Sequence, residues 1–244
     1  MLVVNAKRVI IISILFVITV YLVFKANSQV PESMSHTTAA YGAWQSPISA
    51  ASIFEASDNV SYLSVENNQL YFVESKASAN GKNILFKLNQ KNVAVQLTSN
   101  EVSVRSRVHE YGGRPYLVDG EDIYYSQFTD QKIYRISQNS PPEAITSEGL
   151  RYMECIADQN NNRLICVRED HRGIGEPINT LVAISLSDTY QEIILFEGTD
   201  FVSAPNLSPD GNSVAFITWS HPNMPWDDTQ LRVINFCENG SVER

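Results

Sequence analysis

The chain has 244 residues, 43% of them apolar, and a formal net charge of −9. That is enough apolar material for one large or two small cores. Because no basic block or Arg/Lys stripe interrupts the chain, nucleic acid is excluded as a partner. The acidic residues are scattered, as on a solvated surface, and form no tail.

The first element in chain order is an apolar run, Val9 to Phe24, flanked by Lys7, Arg8 and Lys25. It is slightly short for the roughly 20 residues of a membrane-spanning helix and long for a signal-peptide core of about 7–15. Residues 1–26 therefore read as a hydrophobic helix serving as an uncleaved signal-anchor or a cleaved signal peptide, with a buried core helix as the third reading. The basic flank predicts the N-terminus inside and the remainder exported, held to the membrane through residues 9–24. A polar linker, 27–40, follows.

From there the chain repeats. The segments 61–75, 115–128, 154–170 and 204–219 each pair a short apolar strand with a strand of β-branched and aromatic residues. The turns between them are "ENNQ", "DGED", "QNNN" and "SPDGN". Such residues tolerate the positive φ that tight hairpins require. A third strand follows each pair, and a fourth follows three of them, in units of about 40–50 residues. The predicted fold is all-β: a partial β-propeller of about four four-stranded blades over 55–100, 108–148, 152–198 and 202–244. Four meanders in one sandwich are the competing arrangement.

Three cysteines are too few and too odd in number for a disulfide framework. Cys155 and Cys166 straddle the turn "DQNNNR" and are placed to meet across a hairpin; the simpler reading makes them small buried hydrophobes.

In a blade, the turn between the first two strands and the loop between the second and third lie on opposite faces. The turns are chemically plain. The unusual residues lie in "VHEYGG" (108–113), "REDHRGIGEPIN" (168–179), "EGTDFVS" (197–203) and "SHPNMPWDD" (220–228), all expected on the other face. This yields the candidate site: His109, Glu110, Tyr111, Glu169, Asp170, His171, His221, Trp226 and Asp227. The histidines and carboxylates lack metal-ligand spacing, so neither a metal nor any other cofactor is expected. "EDH" reads either as a recognition patch or as ion pairs stiffening a loop. Pro222, Met224, Pro225 and Trp226 form an apolar knuckle that caps the blade or packs on another domain. Gly112 and Gly113 suit a tight turn. There is no G-x-S-x-G elbow, and so no catalytic residue is assigned.

Taken in order, "YGAWQSPISA" (41–50), "VHEYGG", "REDH", "NTLVAI", "LSPDGNSVAFITW" and "HPNMPWDDTQL" resemble the N-terminal propeller of the prolyl oligopeptidase family of serine peptidases. The similarity is to its dipeptidyl aminopeptidase or acylaminoacyl-peptidase-like branch. It implies seven or eight blades and a downstream α/β-hydrolase domain carrying a Ser-Asp-His triad. The propeller there covers the active site and admits short peptides. That triad maps onto no residue of this chain, which is expected to be inactive alone. The rival expectation is a TolB-like propeller that binds proteins without an enzyme attached.

Overall fold

The computed structural model describes residues 38–44, 46, 48–49, 58–138, 140–187 and 189–243. The expected N-terminal hydrophobic helix, 9–24, lies outside the described residues. The chain divides into two units, Met1–Ser49 and Ala50–Arg244. In the first, the described residues carry a turn in which the Ala43 N–H donates to the Ala40 carbonyl at 3.0 Å.

The second unit is an all-β propeller of four blades. The first blade is β1 (Asn59–Glu66), β2 (Gln69–Lys76), β3 (Lys82–Leu88) and β4 (Ala94–Gln96). The second is β5 (Tyr116–Asp119), β6 (Asp122–Ser126), β7 (Ile133–Ile136) and β8 (Glu143–Ala144). The third is β9 (Leu150–Asp158), β10 (Arg163–Asp170), β11 (Ile178–Ser185) and β12 (Glu192–Phe196). The fourth has three strands, β13 (Phe201–Leu207), β14 (Ser213–Trp219) and β15 (Gln230–Asn235), with a bridge between Phe236 and Val242. Within each sheet the strands follow chain order and pair antiparallel.

The core lies between the blades. Because side chains alternate along a strand, each sheet presents one set of residues to the blade before it and another to the blade after. In β10, Leu164 and Cys166 pack with Tyr124 and Ile133 of the second blade. Ile165 and Val167 pack with Val202, Val214 and Phe216 of the fourth. Both faces being covered, β10 is buried along nearly its whole length. The first and second blades meet through Tyr71, Val73 and Leu85 against Val104, Tyr116 and Val118.

The first strand of each blade faces its neighbours' first strands, β5 against β9 and β9 against β13. Three of these strands carry a bulge with one residue at positive φ: Tyr62 (52°), Glu154 (52°) and Ala204 (54°). A bulge turns backbone groups out of the ladder, and here they join blade to blade. Tyr116 Oη donates to the Tyr62 carbonyl at 2.5 Å, and the Glu154 N–H donates to the Arg114 carbonyl at 2.8 Å. The Ala204 N–H donates to Glu154 Oε2 at 2.6 Å.

Cys155 lies in the β9 bulge, faces Cys166 and is disulfide-bonded to it. The reading of both as free hydrophobes is corrected: the bulge brings their Cα atoms to 4.1 Å. Cys237 is free and exposed.

Candidate functional site

Antiparallel connectivity sets the geometry. The turns between first and second strands gather at one end, where Gln159 Nε2 donates to Asp119 Oδ1 at 2.9 Å and Asn160 Nδ2 donates to the Asp210 carbonyl at 2.8 Å. The loops 171–177 and 220–229 leave the opposite ends of β10 and β14. One expectation needs correction. Within "REDHRGIGEPIN" only His171 to Pro177 is loop; Arg168, Glu169 and Asp170 end β10, while Ile178 and Asn179 open β11. Strand pairing extends that far because Glu169 stands opposite both Arg151 on β9 and Asn179 on β11.

Glu169 is 3% exposed and fully engaged. Its Oε1 accepts the His109 backbone N–H at 2.7 Å, and its Oε2 lies 2.8 Å from His171 Nε2 and 3.8 Å from Arg151 Nη1. Arg151 also donates to the Arg107 carbonyl at 3.0 Å and to Glu110 Oε1 at 2.7 Å. Arg107 meets the other Glu110 oxygen at 3.1 Å. These hydrogen bonds, Arg151's above all, hold the Glu110 carboxyl below the usual range. Asp170 accepts the forked guanidinium of Arg172, which draws its carboxyl down to about 2.

The chain reaches this network through a strained turn. His109 (φ 55°) and Glu110 (φ 63°) are consecutive left-handed residues, a costly conformation without glycine. The turn closes through the Gly112 N–H to the Val108 carbonyl at 2.9 Å. The two glycines have different reasons. Gly112 has φ 80°, and a Cβ there would sit 2.5 Å from the Ser106 carbonyl oxygen. Gly113 leaves room for Met153 Sδ, 2.5 Å from where its Cβ would stand. The tight-turn reading therefore holds for Gly112, and Gly113 is a close-packing residue.

The His109 ring is buried, with Nε2 3.1 Å from Asn179 Oδ1 and Nδ1 without a hydrogen-bond partner among the described residues. Burial pushes its pKa down, partly offset by Glu169 and the Asn179 hydrogen bond. Aromatic rings surround it: Phe201 at 5.2 Å, Trp219 at 5.4 Å and Tyr111 at 5.7 Å between centroids. Phe201 stacks on Trp219 at 5.1 Å and meets the His221 ring edge-on at 5.0 Å. Asp200 Oδ2 accepts the His221 backbone N–H at 2.9 Å, and Asp227 Oδ2 accepts the Met224 N–H at 3.0 Å. The His221–Pro222 bond is cis.

His109, Glu110, Tyr111, Glu169, His171 and His221 thus meet in one cluster. Asp170 is paired to Arg172 beside it. Asp227 orders its own loop, and Trp226 stands 75% exposed. Beside His221 is a recess of about 240 Å³ lined by Thr199, Trp219, Ser220, His221, Asp228 and Arg232. Sequence reasoning missed Arg151, Asn179, Phe201 and Trp219. Pairing the three strands around Glu169 is the signal that finds the first two. The arrangement offers polar groups fixed by a carboxylate hub, a wall of rings and an exposed Tyr111 beside them.

Four consecutive blades, repeated bulged inner strands and one elaborated face define the class, an all-β propeller. No family model matches the chain, and no curated protein matches it. Among solved structures, it is similar to a puromycin-hydrolysing peptidase of Mycobacterium tuberculosis, at 29% identity and a TM-score of 0.74, over 86% of this chain and 35% of that one. A puromycin hydrolase matches at 26% identity and the same TM-score, again over 86% and 35%. TolB from Acinetobacter baumannii shares the fold alone, with 12% identity and a TM-score of 0.50 over 76% of this chain and 43% of TolB. The chain therefore spans about a third of the length of each of these two peptidases.

Proposed function

We propose that this chain is the propeller portion of an exported serine peptidase whose loop face, around His109, Glu169 and His221, looks toward a catalytic α/β-hydrolase domain. It screens and contacts short peptide or aminoacyl substrates entering there. The observation that carries the reading is the likeness to puromycin-hydrolysing peptidases over 86% of the chain. The cluster supports it, since ordered loops with exposed Tyr111 and Trp226 suit contact with a substrate or a second domain. Export is supported by the apolar run flanked by Lys7, Arg8 and Lys25, and by the Cys155–Cys166 disulfide, a bond of oxidising compartments.

Hydrolysis needs an activated nucleophile, a base and oxyanion donors, and the reading assigns all three to the catalytic domain. The test compares the parent polypeptide with this chain alone on puromycin and aminoacyl chromogenic substrates. Hydrolysis by the parent only is the expected result. Hydrolysis by the isolated chain, or a parent inert to every such substrate, contradicts it; the inert parent favours a protein-binding propeller.

A further inference from the structure

The blade junctions differ at their turn ends. Gln159 in the third blade's turn donates to Asp119 of the second at 2.9 Å, and Asn160 reaches the Asp210 carbonyl of the fourth at 2.8 Å. The corresponding turns of the first and second blades, Asn67–Asn68 and Gly120–Glu121, exchange no hydrogen bond among the described residues. Between them the junction opens into a recess of about 270 Å³. Both walls are four-stranded blades packed on each other, and the recess lies within their junction.

The floor of the recess is apolar and its rim polar. Tyr71 and Lys87 stand directly opposite each other on β2 and β3. Because Tyr71 packs toward the second blade, Lys87 points into the same gap. Val118 and Ile123, paired on β5 and β6, complete the floor with Leu97. Tyr71 is buried, yet its hydroxyl has no hydrogen-bond partner among the described residues, although buried tyrosine hydroxyls usually find one. Burial and the nearby Glu66 carboxylate push its pKa up, so the hydroxyl keeps its proton. Lys87 and Glu121 each lack an ion pair among the described residues. The other carboxylates of Glu121's hairpin are committed, Asp119 to Gln159 and Asp122 to Arg135 and Ser137. The recess thus joins a cation and an anion without partners of their own, with the carboxamides of Asn67, Gln69 and Gln138 around them.

We propose that this recess binds a free amino acid with an apolar side chain. Its carboxylate meets Lys87 and the Tyr71 hydroxyl, its ammonium meets Glu121, and its side chain lies over Leu97, Val118 and Ile123. A zwitterion satisfies both charges at once, whereas a simple anion or cation leaves one charge of the recess unmatched. The volume falls just below the range of about 300–1,000 Å³ that takes drug-sized ligands, which limits the occupant to amino-acid size. The walls are preformed, since two-residue turns close them in register, Glu66 against Gln69 and Asp119 against Asp122. Rigid walls spare the ordering cost of binding.

The experiment is isothermal titration calorimetry of the full chain with L-leucine and with L-phenylalanine, beside the variants Lys87→Met and Glu121→Gln. Both side chains stand at the rim, so circular dichroism and melting temperature of the variants should match the parent chain. The expected result is saturable binding at one site, weakened at least about tenfold by either substitution. N-acetyl-L-leucine, which lacks the ammonium, and L-leucinamide, which lacks the carboxylate, should each bind at least about tenfold more weakly than L-leucine. Absence of saturable binding by both amino acids overturns the inference. So does binding that either substitution leaves unchanged, or that the blocked analogues match, since a ligand held elsewhere is indifferent to these two charges.

Discussion

Glu169 and His109 are sixty positions apart, yet Glu169 Oε1 accepts the His109 backbone N–H at 2.7 Å inside the protein. This bond ties the connection ahead of the second blade to the end of β10 in the third. It fixes the turn that carries Glu110 and Tyr111. Glu169→Ala leaves a buried donor unmatched and removes the anchor for His171 and Arg151. Urea denaturation should show a loss of about 1–3 kcal/mol. A midpoint unchanged from the parent would mean the turn holds without it.

The two glycines after this turn should separate. In Gly112→Ala the new Cβ meets a backbone oxygen at positive φ, and neither can yield. The cost should be at least about 2 kcal/mol. In Gly113→Ala the first obstacle is the flexible thioether of Met153, so the thermal midpoint should fall less. Equal losses would contradict the distinction.

Sequence periodicity made the blades legible because each hairpin states its own turn and alternation. The cluster was half legible for the same reason: loops between strands two and three and connections between blades must share a face, so His109, Glu169 and His221 could be grouped, although Glu169 ends β10 and is not a loop residue. Arg151 and Trp219 were not, since they lie within strands and look like ordinary strand residues; Asn179 and Phe201 fell inside the quoted connections, but nothing in their type set them apart. Their role appears only when cross-strand register sets Arg151 and Asn179 on either side of Glu169. The Cys155–Cys166 pairing was one of two readings open from the hairpin turn between them; the bulge that brings their Cα atoms together is not signalled by composition.

That disulfide should be stabilising. It closes a loop with a sequence separation of 11, for which loss of chain entropy predicts about 2–3 kcal/mol. Cys155→Ala/Cys166→Ala, or reduction after unfolding, should lower the melting temperature correspondingly. An unchanged melting temperature would refute a structural role.

Acidification should weaken the fold through His109. Burial lowers its pKa in the folded protein, so the unfolded chain binds its proton first. The stabilising contribution is present above the unfolded value of about 6.5 and is lost as pH falls through the lower folded value. Asp170, drawn down to about 2, acts in the same direction at a lower pH. His109→Gln should flatten the stability profile below neutrality. A profile as steep as the parent's would assign the effect elsewhere.

Exposure separates two aromatic residues of the fourth blade. Phe216→Ala empties a site that is 1% exposed and should cost about 3–5 kcal/mol in thermal or urea unfolding. Trp226→Ala, at 75% exposure, should change the stability of this chain by no more than about 0.5 kcal/mol.

The central claim is that the loop face is the one turned toward substrate. Steady-state hydrolysis of puromycin by the parent polypeptide tests it most directly, with Tyr111→Ala and Trp226→Ala on the loop face against Asn68→Ala on the turn face. The account predicts that the loop-face changes lower kcat/KM, chiefly by raising KM, while Asn68→Ala leaves both constants as they were. Loss of activity from Asn68→Ala, with the loop-face variants unaffected, would contradict it.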